Sequence, residues 1–200
     1  MSAVSQATRR GLRSAARTAA LVLLATSTTL LAGCGAAHTA PALTSAAPAA
    51  SAPAAVGLPT RVEIPAIEVD ESLVPVGLLA NGAMQTPDFG LAAWYEPGPR
   101  PGGPGPAVIL AHVDSKAGPD VFYRLRELTP GDRVTVHRTE GSTTFTVDSL
   151  EQVDKNRLPY HRIWPRTTEP VLRLITCGGT FDHSTGNYRD NIIVYARSVP

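Results

Sequence analysis

The chain has 200 residues, a formal net charge of +1 and a charged fraction of 18 %, below the usual quarter. That length holds one domain with a real core plus extra segments. The near-neutral balance gives no bulk electrostatic case for nucleic acid. With 18 prolines, 17 glycines and few aromatics, the composition points to a β-rich domain with many turns.

Residues 1–17 carry Arg9, Arg10, Arg13 and Arg17 and no acidic residue, and residues 18–32 are mostly Ala, Leu, Val and Thr. A charged stretch followed by an apolar one is the order of a secretory signal. The apolar run is short and is broken at Thr26–Thr29, so it makes a poor spanning helix. It ends in Leu31-Ala32-Gly33-Cys34, which resembles the bacterial lipobox, where the cysteine after the cleavage site receives lipid. The alternatives are an ordinary signal peptide or an uncleaved anchor with an incidental cysteine. Residues 34–57 are almost all Ala, Pro, Ser, Thr and Gly, with a lone His38. They cannot bury enough apolar surface to offset their ordering entropy and read as a semi-extended tether. The expected organisation is a lipoprotein-type signal over 1–33, a tether over 34–57 and a folded domain over 58–200.

Within that domain the extended signals come in order. Arg61–Ile64 alternates, Ser72–Val76 is a short extended run, and Ala107–Ala111 is a continuous apolar run of the kind a strand buried on both faces shows. Asp120 caps a predicted short helical turn in which Val121, Phe122, Leu125 and Leu128 share a face, ended by Pro130-Gly131. Val134 and Val136 alternate with polar residues, Glu140-Gly141 follows, and Thr144–Val147 alternates again, which reads as a hairpin. Val171–Thr176 and Ile192–Ala196 complete the set. Many short strands with Pro and Gly punctuation argue for a sandwich or a closed barrel.

The chemistry centres on Cys177. With Cys34 lipidated, it is the one free thiol of an exported chain, with no disulfide partner. It closes the run Val171–Thr176 and precedes Gly178-Gly179, which reads as a thiol at a strand end with open backbone beside it for a substrate carbonyl. The bland alternative is a buried apolar cysteine. A thiol needs a partner to act as a nucleophile at neutral pH. His137 lies on the polar side of an alternating strand, His161 in a loop and His183 in a polar turn, whereas His112 closes the apolar run 107–111 much as Cys177 closes its own. His112 is the expected base and acid. Negative charge on a carbonyl oxygen calls for a cation. Arg189, just before the last strand and on the face of Asn191 and Ile193 if that strand is regular, is preferred to Arg173, which reads as a surface charge on the Cys177 strand.

Taken jointly these pieces resemble the sortase family. Leu174-Ile175-Thr176-Cys177 is similar to the family's TLxTC pattern, and the stretch AVILAHVDS to the strand leading into its histidine. The order His, Cys, Arg is the family's order. The set GPAVILAHVDS, VFYRLREL, CGGTFD and YRDNIIVYA looks closest to the class F branch of actinobacteria, and the resemblance covers residues 60–197. It implies an all-β, closed eight-stranded β-barrel with one or two short helices. It implies a cysteine transpeptidase in which Cys177 attacks a Thr–Gly bond of an LPxTG-type sorting signal and forms a thioester that an amine of the cell wall resolves. His112 would move the protons, and Arg189 would bind the substrate backbone and the oxyanion. Asn191 holds the register at which the family usually carries its arginine, and Arg189 sits two residues earlier. The loop Asp154–Thr168, with Tyr160, Ile163 and Trp164, corresponds to the family loop that walls the sorting-signal groove, so Asn191, Trp164 and Ile163 are expected substrate contacts. From residues alone it is a long surface loop with its apolar side chains folded onto the barrel.

The implied partners are LPxTG-bearing secreted proteins, a peptidoglycan precursor or other amine, and a membrane reached through a lipid on Cys34, with no nucleic acid. The implied place is the outer face of the cytoplasmic membrane of a Gram-positive bacterium. No cofactor or metal is expected: the histidines are scattered, there is no CxxC pair, and Asp114, Asp120 and Glu127 form no calcium-loop motif. An L,D-transpeptidase would carry a histidine closely before the cysteine, and Cys177 has none there. A non-catalytic sortase-like lipoprotein that binds a wall component is the alternative outside the enzymes.

Overall fold

The computed structural model describes residues 56–199. The signal, the tether, His38 and Cys34 lie outside the described residues. Eight strands close into a barrel: β1 (Pro59–Ile64), β2 (Val69–Val76), β3 (Ala92–Tyr95), β4 (Gly105–Ala111), β7 (Arg133–Arg138), β8 (Ser142–Asp154), β9 (Pro170–Asp182) and β10 (Asn187–Ser198). Their order around the barrel is β1-β2-β3-β4-β9-β10-β8-β7. A small ribbon of β5 (Asp114–Ser115) and β6 (Gly118–Pro119) stands beside it. The β2–β3 and β4–β9 pairs are parallel, and the other barrel pairs are antiparallel.

Side chains fill the interior, as a barrel of this strand number allows. Val62, Ile64, Ile109, Val134, Val136, Phe145, Leu172, Leu174 and Val194 form one cluster, with Phe122 and Leu125 inserted from the 120–128 segment. That segment is the predicted helical turn, and its apolar face is buried as expected. Its backbone bonds nevertheless run from i to i+3 (Tyr123 to Asp120, Leu125 to Phe122, Leu128 to Leu125), giving turns and a 3₁₀ segment at Leu125–Glu127. Asp120 does not cap a helix: its carboxylate accepts from the adjacent Val121 amide and from the Gly90 amide, and the 3₁₀ segment has Arg124 as its N-cap, with no side-chain capping bond.

The apolar run of β4 is covered on both faces, as its composition requires. Ala107, Ile109 and Ala111 face the interior. Val108 and Leu110 face outwards into a second cluster with Val76, Ala93, Met84 and Trp164. The 133–147 hairpin is present as β7 and β8. β3 has no alternating signature, because Ala92, Ala93 and Trp94 are all buried. The loop between β8 and β9 carries a one-turn helix, α1 (Tyr160–Ile163), and folds Ile163 onto Ile193 and Tyr195.

Two expectations are corrected. β9 does not stop at Cys177 but continues to Asp182. Arg173 is not a surface charge: at 6 % exposure it lies under the 154–168 loop. It donates to the carbonyls of Arg162 and Leu172, and its guanidinium sits 4.9 Å from the Tyr195 ring centre. Burial holds its pKa below the usual arginine value.

Candidate active site

On β9, Leu172 and Leu174 face the interior, so Arg173, Ile175 and Cys177 face outwards. On β4 the same alternation turns residue 112 outwards. The parallel ladder pairs Leu110 with Ile175, an offset that carries His112 level with Cys177. It is reinforced where the Thr176 hydroxyl donates to the Ala111 carbonyl at 2.8 Å. The ladder ends there because β4 ends at Ala111, so among the described residues β9 has no strand partner on that side from Cys177 onward. The thiol therefore lies at an opened sheet edge rather than at a strand end.

The two residues line one cleft of about 660 Å³, together with Phe89, Asp114, Lys155, Phe181, Asn187 and Tyr188. Cys177 is a free, partly exposed thiol. Its sulfur receives a hydrogen bond from Lys155 Nζ at 3.3 Å, and the same ammonium donates to Asn187 Oδ1 at 2.7 Å. His112 Nε2 lies 2.9 Å from the Pro87 carbonyl, which fixes that nitrogen as the donor. Phe89 packs on the imidazole with ring centres 4.4 Å apart. The β2–β3 connection thus holds His112 from outside while β4 delivers it. At the far wall, the Tyr188 hydroxyl donates to Asp114, and that bond, more than burial, raises the tyrosine pKa to about 12.

The glycine pair serves packing. A methyl group on Gly178 would lie 2.8 Å from Ile192 Cγ1, so the position is closed by the core rather than open to a substrate. Gly179 has φ +74° at the bulge where the β9–β10 register slips, and a Cβ there would meet the Asp190 side chain.

The other predicted residues fall in different places. Asn191 is the direct cross-strand partner of Cys177 on β10. Arg189 lies at the register slip, pairs with Asp182 at 3.2 Å, is 65 % exposed and does not line the cleft. Ile163 is buried against Ile193 and Tyr195, and Trp164 packs edge-on against Tyr95, so both build the outer wall of the barrel rather than the cleft surface. His137 bonds to Arg61 and Glu63 on another part of the barrel. Among the described residues no group of three His, Cys, Asp or Glu side chains is placed to hold a metal. Lys155, Asn187 and Phe89 carry no motif, and Tyr188 opens the phrase YRDNIIVYA. Parity would assign Lys155 to the outward face of Val153, but only once the pairing of β8 with β10 is known.

The closed eight-stranded barrel thus brings a thiol and an imidazole to one cleft on its outer face. The sequence model of the sortase domain matches residues 62–199, and the chain belongs to the sortase family. No curated protein matches the chain at a significant level. Solved structures with the same fold include sortase C1 of the Group B Streptococcus pilus island 1, with a TM-score of 0.55 and 19 % identity, aligned over 70 % of this chain and 65 % of that one. Sortase C-1 of Streptococcus pneumoniae aligns at 0.54 and 21 %, over 70 % and 66 %. Sortase C1 of Streptococcus suis aligns at 0.54 and 17 %, over 72 % and 73 %. The chain spans just under two thirds of the first two of these proteins.

Proposed function

We propose that this chain is a cysteine transpeptidase acting on an LPxTG-type sorting signal. Cys177, as thiolate, attacks the Thr–Gly carbonyl, the Thr acyl group passes to sulfur as a thioester, and the Gly amine leaves with a proton from His112. An incoming amine of the cell wall gives its proton back to His112 and takes the acyl group, which frees the thiol. The observation that carries this reading is the alignment of His112 with Cys177 on neighbouring parallel strands, both opening on one cleft. The rings of Phe89, Phe181 and Tyr188 along that cleft suit an extended peptide with apolar side chains. Asn191, opposite Cys177, is the proposed contact to the peptide backbone.

The class F affinity belongs to this reading and rests on the sequence phrases alone. The solved structures named above are sortase C proteins, and at 17–21 % identity they bear on the fold alone. Export, lipidation of Cys34 and residence on the outer face of the cytoplasmic membrane are likewise proposed from the basic-then-apolar leader and its Leu31–Cys34 end.

The test is intact mass of the purified full chain after incubation with an LPxTG peptide, beside Cys177→Ala. An added acyl mass on the wild type alone, released by triglycine, is the expected result. No adduct and no cleavage across a panel of related peptides would reject the transpeptidase and leave a sortase-like barrel that binds a wall component.

A further inference from the structure

A thiolate that attacks a carbonyl carries negative charge into a cleft, and a cation beside it lowers the energy of that charge. The cleft is lined by two such cations, Lys155 and Lys116, by His112, and by Asp114, Asn187 and Tyr188. Asp114 is engaged by the Tyr188 hydroxyl. Lys116 is exposed on the ribbon. Arg189 is turned to Asp182 outside the cleft, and Asn191, at the position facing Cys177, has no charge.

Lys155 differs from all of these. It follows Asp154, the last residue of β8, whose partner on β10 is Asp190, while Val153 pairs with Asn191 and Asn191 with Cys177. The three strands therefore set Val153, Asn191 and Cys177 in a row, and Lys155 extends the outward face of β8 by one step. From there its ammonium reaches over β10 to the sulfur. Asn187, at the start of β10, accepts a second of its protons and fixes its direction.

We propose that Lys155 is a further catalytic cation of this site, pairing with the Cys177 thiolate and holding the charge as attack begins. The step balances simply: the thiol proton passes to His112, the sulfur keeps the electron pair, and Lys155 keeps its three protons while donating one N–H to sulfur. The proposal rests on the reading of Cys177 as a nucleophile, and its test needs no sorting peptide.

The rate of carbamidomethylation at Cys177 by iodoacetamide is followed in the full chain against pH, by peptide mass mapping that separates Cys177 from Cys34. Lys155→Met is expected to slow the reaction near neutrality several-fold, because the sulfur loses the N–H that Lys155 donates to it. Lys155→Arg is expected to restore most of the rate, which a merely structural role for the aliphatic stem would not require. Superimposable profiles for wild type and Lys155→Met overturn the proposal. So does a shift in Arg189→Ala with none in Lys155→Met. Cleavage of an LPxTG peptide is read on the same samples. Cleavage with no Lys155 effect on alkylation rejects the cation alone. A Lys155 effect without cleavage of any peptide upholds the pairing and rejects the transpeptidase reading.

Discussion

Gly178→Ala adds one methyl group to a buried position next to Cys177, and the structure says where it goes. An ideal Cβ would lie 2.8 Å from Ile192 Cγ1 and 2.9 Å from its Cδ1, inside the closest approach that carbon atoms adopt. Ile192 is 3 % exposed, so it has little space to yield into. Overpacking of this kind costs about 1–3 kcal/mol. For a domain of this size that is a fall in Tm of roughly 4–12 °C, at about 4 °C per kcal/mol. The assay is thermal and urea unfolding of wild type, Gly178→Ala, Ile192→Val and the double variant. Ile192→Val alone costs about 0.5–1.5 kcal/mol. It also removes the Cδ1 that the new methyl meets, so the double variant is expected to lose less than the sum of the two singles. The methyl points to the core and not to the cleft, so Cys177 alkylation is expected to stay within about twofold of wild type. A Gly178→Ala variant of unchanged Tm that has lost peptide cleavage would refute this reasoning. It would mean that the glycine keeps space for substrate.

Arg173→Ala is expected to cost about 2–4 kcal/mol in urea unfolding, because two carbonyls lose a charged donor and the Tyr195 ring loses the group packed on it. For Tyr188, the folded pKa of about 12 lies above the ordinary value of 10.0, so the fold favours the neutral phenol. That stabilisation is complete below pH 10 and is lost as pH rises through 12; Tm should fall across that window, and Tyr188→Phe should flatten part of the slope. Phe89→Ala removes a 62 % exposed ring, so Tm should hold within about 0.5 kcal/mol equivalent, while kcat/KM on a sorting peptide falls roughly two- to tenfold as the packing that steadies His112 is lost.

The alternating and apolar runs made most strands legible, because burial of one face leaves period two and burial of both leaves a continuous run such as Ala107–Ala111. β3 escaped because its four residues carry no alternation. The end of β9 was misplaced because Gly178 and Gly179 read as breakers. In the fold they are the residues that let β9 lie against Ile192 and pass the bulge beside Asp190. The pairing of Cys177 with His112 was legible because each closes an apolar run, and such run ends come to one cleft when the two strands pair in parallel. Period two carried Arg189 onto the face of Asn191, but the register slip between Tyr188 and Asp190 falls at that residue, and its guanidinium goes to Asp182. Lys155 was invisible for the opposite reason. Its meaning lies in the pairing of three strands remote in sequence, and no local pattern encodes that.

Why these groups meet on the outside of the barrel follows from its size. An eight-stranded barrel filled by Phe122, Phe145, Leu172 and Leu174 has no interior space for a peptide, so reacting groups must come from outward positions. Most outward positions on β9 are covered. Arg173 lies under the 154–168 loop, and Ile175 packs with Trp164. Cys177 is the next outward residue, and it is also the first beyond the end of β4. The loop that covers Ile175 carries in its second residue, Lys155, the ammonium that reaches the sulfur. Cover for the apolar strand and charge for the thiol are therefore supplied by one segment. A deletion that shortens the 154–168 loop should lower stability and shift the Cys177 alkylation profile together, whereas Lys155→Met should move the profile alone.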